Sequence, residues 1–264
     1  MNETSRVLGA SAAFLRLGWR DAARDRIGLC GRALLFSIPV VIFATIWQAT
    51  PLAGSGHDAD RLAWYVMMTE AIVFSVGYVF REIERDIQSG AIEAALSRPF
   101  AYVLAWIAEE GGGTLFRLLA LLAYGSLIAW LATGMVPFAW TAAPAIVLAA
   151  IFAAFLALLF QVVIGLLTAW VGTPAPAYWI WQKLVFVFGG LFIPLTLYPA
   201  WIRDIGMATP FAAILYRPAS LVFAADPAAL VEVLLWQGLW LVLALLLVAI
   251  VAAAATRRFL REGV

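Results

Sequence analysis

Charged side chains are scarce in this chain. Aspartate, glutamate, lysine and arginine make up 12% of its 264 residues, whereas hydrophobic residues make up 65%. A soluble globular protein needs far more polar surface than this, so the composition indicates a protein that crosses a membrane several times. The formal net charge is only +1, which gives no sign of a basic surface for nucleic acid.

Cysteine and histidine are almost absent. The single cysteine, Cys30, excludes an internal disulfide and a thiolate metal cluster. The single histidine, His57, lies near Asp58 and Asp60, but a zinc site needs at least three positioned ligands, so a polar loop is the simpler interpretation. The sequence contains no phosphate loop with its lysine and no Ser-His or Cys-His pairing. We therefore expect neither catalysis nor a bound cofactor or metal in this chain.

Long uncharged runs are abundant, and a helix needs about 20 apolar residues to cross a bilayer. Six runs approach this length, so the sequence predicts an all-α polytopic membrane protein with six transmembrane helices. The runs are approximately Ala33–Thr50, Leu62–Phe80, Leu118–Met135, Ala142–Trp170, Tyr178–Tyr198 and Val233–Ala255. We expect one transmembrane domain over 1–264, with a cytoplasmic and interfacial region over 1–32, the spans over 33–255 and a cytoplasmic tail over 256–264.

The arginines predict the orientation in the membrane. With both termini in the cytoplasm, the inner segments hold most of them and the outer segments only a few, as the positive-inside rule requires. The inner ones are Arg6, Arg16, Arg20, Arg24, Arg26, Arg32, Arg81, Arg85, Arg98, Arg257, Arg258 and Arg261, and the outer ones are Arg61, Arg203 and Arg217. We therefore expect a multi-pass membrane protein with both termini cytoplasmic.

Two segments outside the spans have membrane-surface character. Residues 4–30 carry Arg16, Arg20 and Arg24 at intervals of four among apolar residues, which is typical of an amphipathic helix on the lipid surface. Residues 199–232 are apolar but interrupted by proline, so they predict short helices that re-enter the outer leaflet.

The loop that follows the second predicted span carries a dense charge cluster. Ile83 and Ile87 share one helical face, Gly90 interrupts the segment, and Pro99 ends it. The pattern predicts two short cytoplasmic helices whose exposed isoleucines contact a partner protein, the alternative being an ordinary solvated loop. The candidate contact residues are Glu82, Ile83, Glu84, Asp86, Ile87, Gly90, Ile92, Leu96, Arg98 and Pro99.

A few polar residues lie within the predicted spans. Glu70 is near the middle of the second span and is either a buried structural group or part of a substrate or coupling pathway. Gln161, in the fourth, is a second pathway candidate, with an interhelical hydrogen bond as its alternative role. Arg117 opens the third span and is expected to be an interfacial anchor or to form an ion pair with Glu109 or Glu110.

Two motifs resemble a known family. The segment from Ile87 to Pro99 has the sequence IQSGAIEAALSRP, and Phe192–Trp201 has the sequence FIPLTLYPAW, followed by Pro210-Phe211. Together with the order of elements, they resemble the type 2 permeases of ABC transporters, in the bacterial six-span subgroup whose chains have roughly 260 residues, close to the 264 of this one. The Gly-rich stretch Glu109–Gly113 departs from the plain helix that is expected where the third span begins.

The resemblance implies a dimer of two permease chains, alike or different. It further implies that each chain docks a nucleotide-binding ATPase through an N-terminal elbow helix and a cytoplasmic coupling helix. ATP and Mg would then be bound by the ATPase partner, and the permease would export an amphipathic or hydrophobic substrate. The alternative functions are a proton-coupled secondary transporter that uses Glu70, and an intramembrane enzyme or scaffold. The lack of an internal repeat and of broken mid-span helices speaks against the former, and the lack of a polar constellation against the latter.

Overall fold

The computed structural model describes residues 3–50, 58–91, 102–224 and 226–262. Over these ranges the regular structure is helical and contains no strand, so the all-α prediction is confirmed. The helices are α1 (Glu3–Arg24), α2 (Arg26–Ala49), α3 (Ala59–Ser75), α4 (Val79–Gln88), α5 (Tyr102–Thr133), α6 (Ala143–Leu166), α7 (Thr168–Val171), α8 (Ala175–Phe188), α9 (Ala200–Met207), α10 (Pro210–Ile214), α11 (Tyr216–Ser220) and α12 (Pro227–Glu262), with 3-10 turns at Trp140–Ala142 and Leu195–Leu197.

Five helical stretches of the described chain are long and apolar enough to cross a membrane. They are Arg26–Ala49, Ala59–Gln88, Tyr102–Thr133, Trp140–Val171 and Pro227–Phe259. The shortest has 24 residues and is about 36 Å long at 1.5 Å per residue, which exceeds the hydrocarbon thickness of about 30 Å. The chain is therefore a multi-pass membrane protein.

The fifth predicted span does not form one long helix. Instead, α8 has 14 residues and is about 21 Å long, too short to cross the membrane alone. It ends at Phe188, Gly189 caps it, and Gly190 has φ of +69°, a left-handed conformation that glycine adopts easily. A proline cannot donate a helical hydrogen bond, so Pro194 and Pro199 separate this segment from α8, and the next α-helix, α9, begins only at Ala200. Run length alone predicted a continuous helix to Tyr198, and that prediction is wrong because it overlooked these breakers.

The second predicted span is also divided. Its helix α3 ends at Ser75, Val76 is extended with ψ of 128°, and α4 begins at Val79. The candidate coupling helix α4 is therefore separated from α3 by a short break and does not continue it as one helix.

The centre of the molecule is formed by α3 and α6. In the apolar windows of Ala59–Gln88 and Trp140–Val171, 78% and 67% of the residues are buried within the protein. The corresponding shares in the spans formed by α2, α5 and α12 are only 17%, 28% and 22%. These three helices surround the central pair and keep apolar side chains on their outer faces, as helices in contact with lipid do.

Short helices α9 to α11 follow the 3-10 turn, as the sequence predicted for this apolar segment. Hydroxyl and amide side chains of the long helices form hydrogen bonds to the backbone between the end of α8 and α10. Thr69 donates to the carbonyl oxygen of Leu191 at 2.6 Å, and the Tyr65 hydroxyl donates to that of Gly190. The Gln237 amide of α12 donates to the carbonyl oxygen of Ala213 at 3.2 Å. Non-helical backbone within a membrane protein needs such internal partners.

Candidate functional site

A cavity of about 770 Å³ lies between α2, α3, α6 and α8. Gly28 near the start of α2 and Tyr78 just before α4 line one part of it, and Leu191 after α8 and Ile214 of α10 line another. Its volume falls in the range of pockets that hold a drug-sized molecule, about 300–1,000 Å³. Most of its lining is apolar.

The two polar residues that the sequence singled out inside the spans lie in this same cavity. Glu70 of α3 is 3% exposed, Gln161 of α6 is 4% exposed, and both line the cavity. Among the described residues, the Glu70 carboxylate has neither an ion pair nor a hydrogen bond, and Gln161 Oε1 has no hydrogen-bond partner. Gln161 therefore shows no interhelical hydrogen bond through this oxygen. The substrate-pathway role of both residues stays a prediction.

The cavity wall is rich in aromatic side chains, which the sequence analysis did not single out as a site. Tyr178 stacks on Phe80 with ring centroids 4.2 Å apart, and Trp181 lies 6.0 Å from Tyr178. Phe186 and Phe192 line the same space. The signal was present in the dense aromatic content of residues 178–192, which lie within the fifth predicted span.

Two arginines hold the end of α3 next to the cavity. Arg117 Nε donates to the carbonyl oxygen of Ser75 at 2.7 Å, and Arg32 Nη1 donates to that of Phe74 at 3.0 Å. These carbonyls are at the helix C-terminus, where no intrahelical donor remains and positive charge is favourable. Arg117 also forms an ion pair with Glu110 at 3.2 Å, which confirms the predicted pairing.

The isoleucines of α4 are not exposed. Ile83 is 1% and Ile87 is 5% exposed, because this face of α4 packs against α6. A Cβ atom at Gly165 of α6 would lie 2.9 Å from Ile83 Cβ, so the glycine allows the close approach. The prediction that these two side chains are exposed for a partner protein is therefore wrong.

The opposite face of α4 is charged and accessible. Arg81, Arg85 and Gln88 are exposed. The acidic residues are partly buried: Glu84 accepts from Gln88 at 3.3 Å, Asp86 accepts from the Tyr102 hydroxyl at 2.9 Å, and Glu82 lies beside them.

The break after α4 falls where the sequence placed it. The helix ends at Gln88, and Gly90 has φ of +73°. The remaining candidate contact residues, Ile92, Leu96, Arg98 and Pro99, lie outside the described residues.

The Gly-rich stretch lies inside the continuous helix α5 and forms its contact with α1. A Cβ at Gly112 would overlap the carbonyl oxygen of Leu15, and a Cβ at Gly18 would overlap that of Glu109. The two backbones therefore touch at a reciprocal pair of glycines. The Gly-rich stretch therefore allows α1 and α5 to cross at close distance, which explains its unusual composition.

A family model described as "ABC-2 family transporter protein" matches residues 57–264, most of the chain. The chain belongs to the ABC-2 transporter family. This confirms the resemblance to type 2 permeases. A search of curated proteins finds no match.

Membership of the ABC-2 family indicates that the chain is one component of a transporter. Members are membrane components and not ATPases, and the family implies association with an ATP-binding subunit. The match contains α3 to α12, including Glu70, Gln161 and the candidate coupling helix, whereas α1 and α2 precede it.

Proposed function

We propose that this ABC-2 protein is the permease subunit of an ATP-driven exporter that moves an amphipathic or hydrophobic molecule. The observation that carries the proposal is the cavity of about 770 Å³, whose apolar wall surrounds a few polar groups, Glu70 and Gln161 among them. A nonpolar wall with few polar groups is typical of a site for such a molecule. Two permease chains, alike or different, form the transport unit in this proposal.

The proposed topology has six crossings. In it, α8 and residues 189–198 together make the fifth crossing, α9 to α11 re-enter the outer leaflet, and both termini are cytoplasmic in the bacterial inner membrane. The α1 helix is the elbow at the inner surface. The length of α5 supports this placement of α1. The 32 residues of α5 extend about 48 Å, beyond the hydrocarbon thickness of about 30 Å. The added length at the start of α5 is where α1 packs.

The coupling path in this proposal runs through α4. Its charged face, with Arg81 and Arg85, contacts the ATPase subunit, which binds ATP and Mg. Its buried face transmits the resulting displacement to α6 through Ile83 and Ile87, because close-packed side chains move together. In this proposal Ile83 and Ile87, which the sequence assigned to docking, transmit the displacement, whereas Arg81 and Arg85, which it did not assign to docking, contact the ATPase.

A proton-coupled secondary transporter is the second candidate function. It is favoured by the Glu70 carboxylate at the cavity wall and by the end of α8 at Gly189-Gly190, since interrupted helices occur in such transporters. The sequence argument against this function relied on the lack of an internal repeat and on unbroken spans, and the helix break after α8 weakens the second part of it. Membership of the ABC-2 family supports the ATP-driven alternative.

The test is co-purification with and without a change on α4. Extracted mildly from its native membrane, the chain is expected to bring down a nucleotide-binding subunit. Arg85→Glu is expected to reduce its recovery at least about 10-fold, since a central charged contact contributes 2 kcal/mol or more. Arg203→Glu, at a partly exposed arginine in α9, is the control and should leave recovery of the subunit unchanged. Failure of the unmodified chain to retain any such subunit would contradict the proposal.

A further inference from the structure

Glu70 and Arg32 are the charged side chains that line the cavity among the described residues, and only one of them has a partner. The Arg32 guanidinium donates to the Phe74 carbonyl oxygen at the end of α3. The Glu70 carboxylate has no ion pair or hydrogen bond in the described part of the chain, although only 3% of the residue is exposed. A charged carboxylate at this depth costs roughly 3 kcal/mol or more on insertion scales.

Gln161 places a second unsatisfied acceptor in the same cavity. Its Oε1 is buried and has no hydrogen-bond partner among the described residues. A buried polar atom without a partner is uncommon in folded proteins and calls for a ligand or water. Two acceptors, one of them acidic, are complementary to a ligand that donates hydrogen bonds and carries positive charge.

The remaining cavity wall is aromatic and can contact the apolar part of such a ligand. Phe74, Trp181, Phe186 and Phe192 line the cavity with ring surface. Aromatic faces attract cations as well as apolar groups. We propose that the cavity binds a hydrophobic amine in its protonated form, with the ammonium group at Glu70 and Gln161 and the apolar body against these rings. The inference rests on the proposed function, since it names the substrate class of the same cavity.

The experiment uses two probes that differ only in the amine. Dansylcadaverine is a fluorescent hydrophobic primary amine, and its N-acetyl derivative has neither the charge nor the ammonium donors. Binding to the full chain in lipid nanodiscs is measured by the fluorescence change, with empty nanodiscs subtracted. Saturable binding of the amine is expected, at least about 10-fold tighter than that of the acetyl derivative, the ratio for a charge-assisted hydrogen bond.

Glu70→Gln keeps the shape of the side chain and removes its charge. It is expected to weaken binding of the amine about 10-fold and to leave binding of the acetyl derivative unchanged. Asp204→Asn, the same chemical change at an exposed position of α9, is the control and should affect neither probe. Equal binding of the two probes by the unmodified chain, or an unchanged preference in Glu70→Gln, would overturn the inference.

A second measurement needs no substitution and so does not depend on whether the variant folds. Dicyclohexylcarbodiimide labels carboxyl groups in apolar surroundings, and mass spectrometry reports the extent of labelling at Glu70. Dansylcadaverine is expected to protect Glu70, and the acetyl derivative is not. Equal labelling with and without the amine would overturn the inference. Neither amine binding nor labelling of Glu70 depends on recovery of the ATPase subunit. The proposed substrate class can therefore be contradicted while the proposed function stands, and the reverse.

Discussion

Replacing Gly112 by leucine is expected to separate α1 from α5 and to destabilise the protein by about 1–3 kcal/mol or more. The position has no room for any side chain, because even a Cβ would overlap the backbone oxygen of Leu15. In an ordinary helix the same replacement stabilises, since leucine has a higher helix propensity than glycine. We therefore expect a lower midpoint of thermal unfolding and faster proteolysis of α1 in the purified chain.

The control for this change is Gly9→Leu in α1, where no atom lies within 4 Å of an added Cβ. It should leave the midpoint unchanged or raise it slightly. If Gly112→Leu unfolded at the same temperature as the control, the backbone contact between α1 and α5 would not exist in the protein.

Replacing Ile87 by aspartate is expected to disrupt the packing of α4 on α6. Ile87 is 5% exposed, so the loss of its apolar contacts costs about 2–5 kcal/mol, and a carboxylate without a partner adds to this cost. We expect reduced yield of folded protein and rapid proteolysis near α4. Size-exclusion chromatography and limited proteolysis measure both effects.

A matched change on the same helix separates folding from docking. Glu84 is partly exposed, and Glu84→Lys should leave the fold intact. Any loss of ATPase binding in that variant then reports on contact with the partner. Normal folding of Ile87→Asp would contradict the burial of Ile87 within the chain.

The misplacement of Ile83 and Ile87 has a general physical reason. Two isoleucines four residues apart show that one face of a helix avoids water, but the pattern does not say which surface covers it. Here the cover is the same chain: Ile83 lies against Gly165 of α6, and Ile87 is buried as well. The charge of α4 was visible in the sequence, whereas the partner of its apolar face depended on the tertiary fold.

Glu70 and Gln161 show how far the site was predictable. Each was recognisable alone as a polar residue within an apolar run, since such residues are costly in a membrane. Their meeting in one cavity depends on the packing of α3 and α6 with α8. Because α8 ends at Phe188, Leu191 and Phe192 turn toward the cavity, and the continuous span predicted from sequence gave no indication of this.

The central claim is that ATP hydrolysis by a partner drives transport through this chain. Its most direct test is uptake of dansylcadaverine by inverted membrane vesicles that contain the chain and its co-purifying ATPase subunit. We expect accumulation with ATP that stops when the ATPase is replaced by a hydrolysis-deficient variant. Accumulation driven by a proton gradient without ATP, and lost in Glu70→Gln, would contradict the claim and identify a proton-coupled transporter instead.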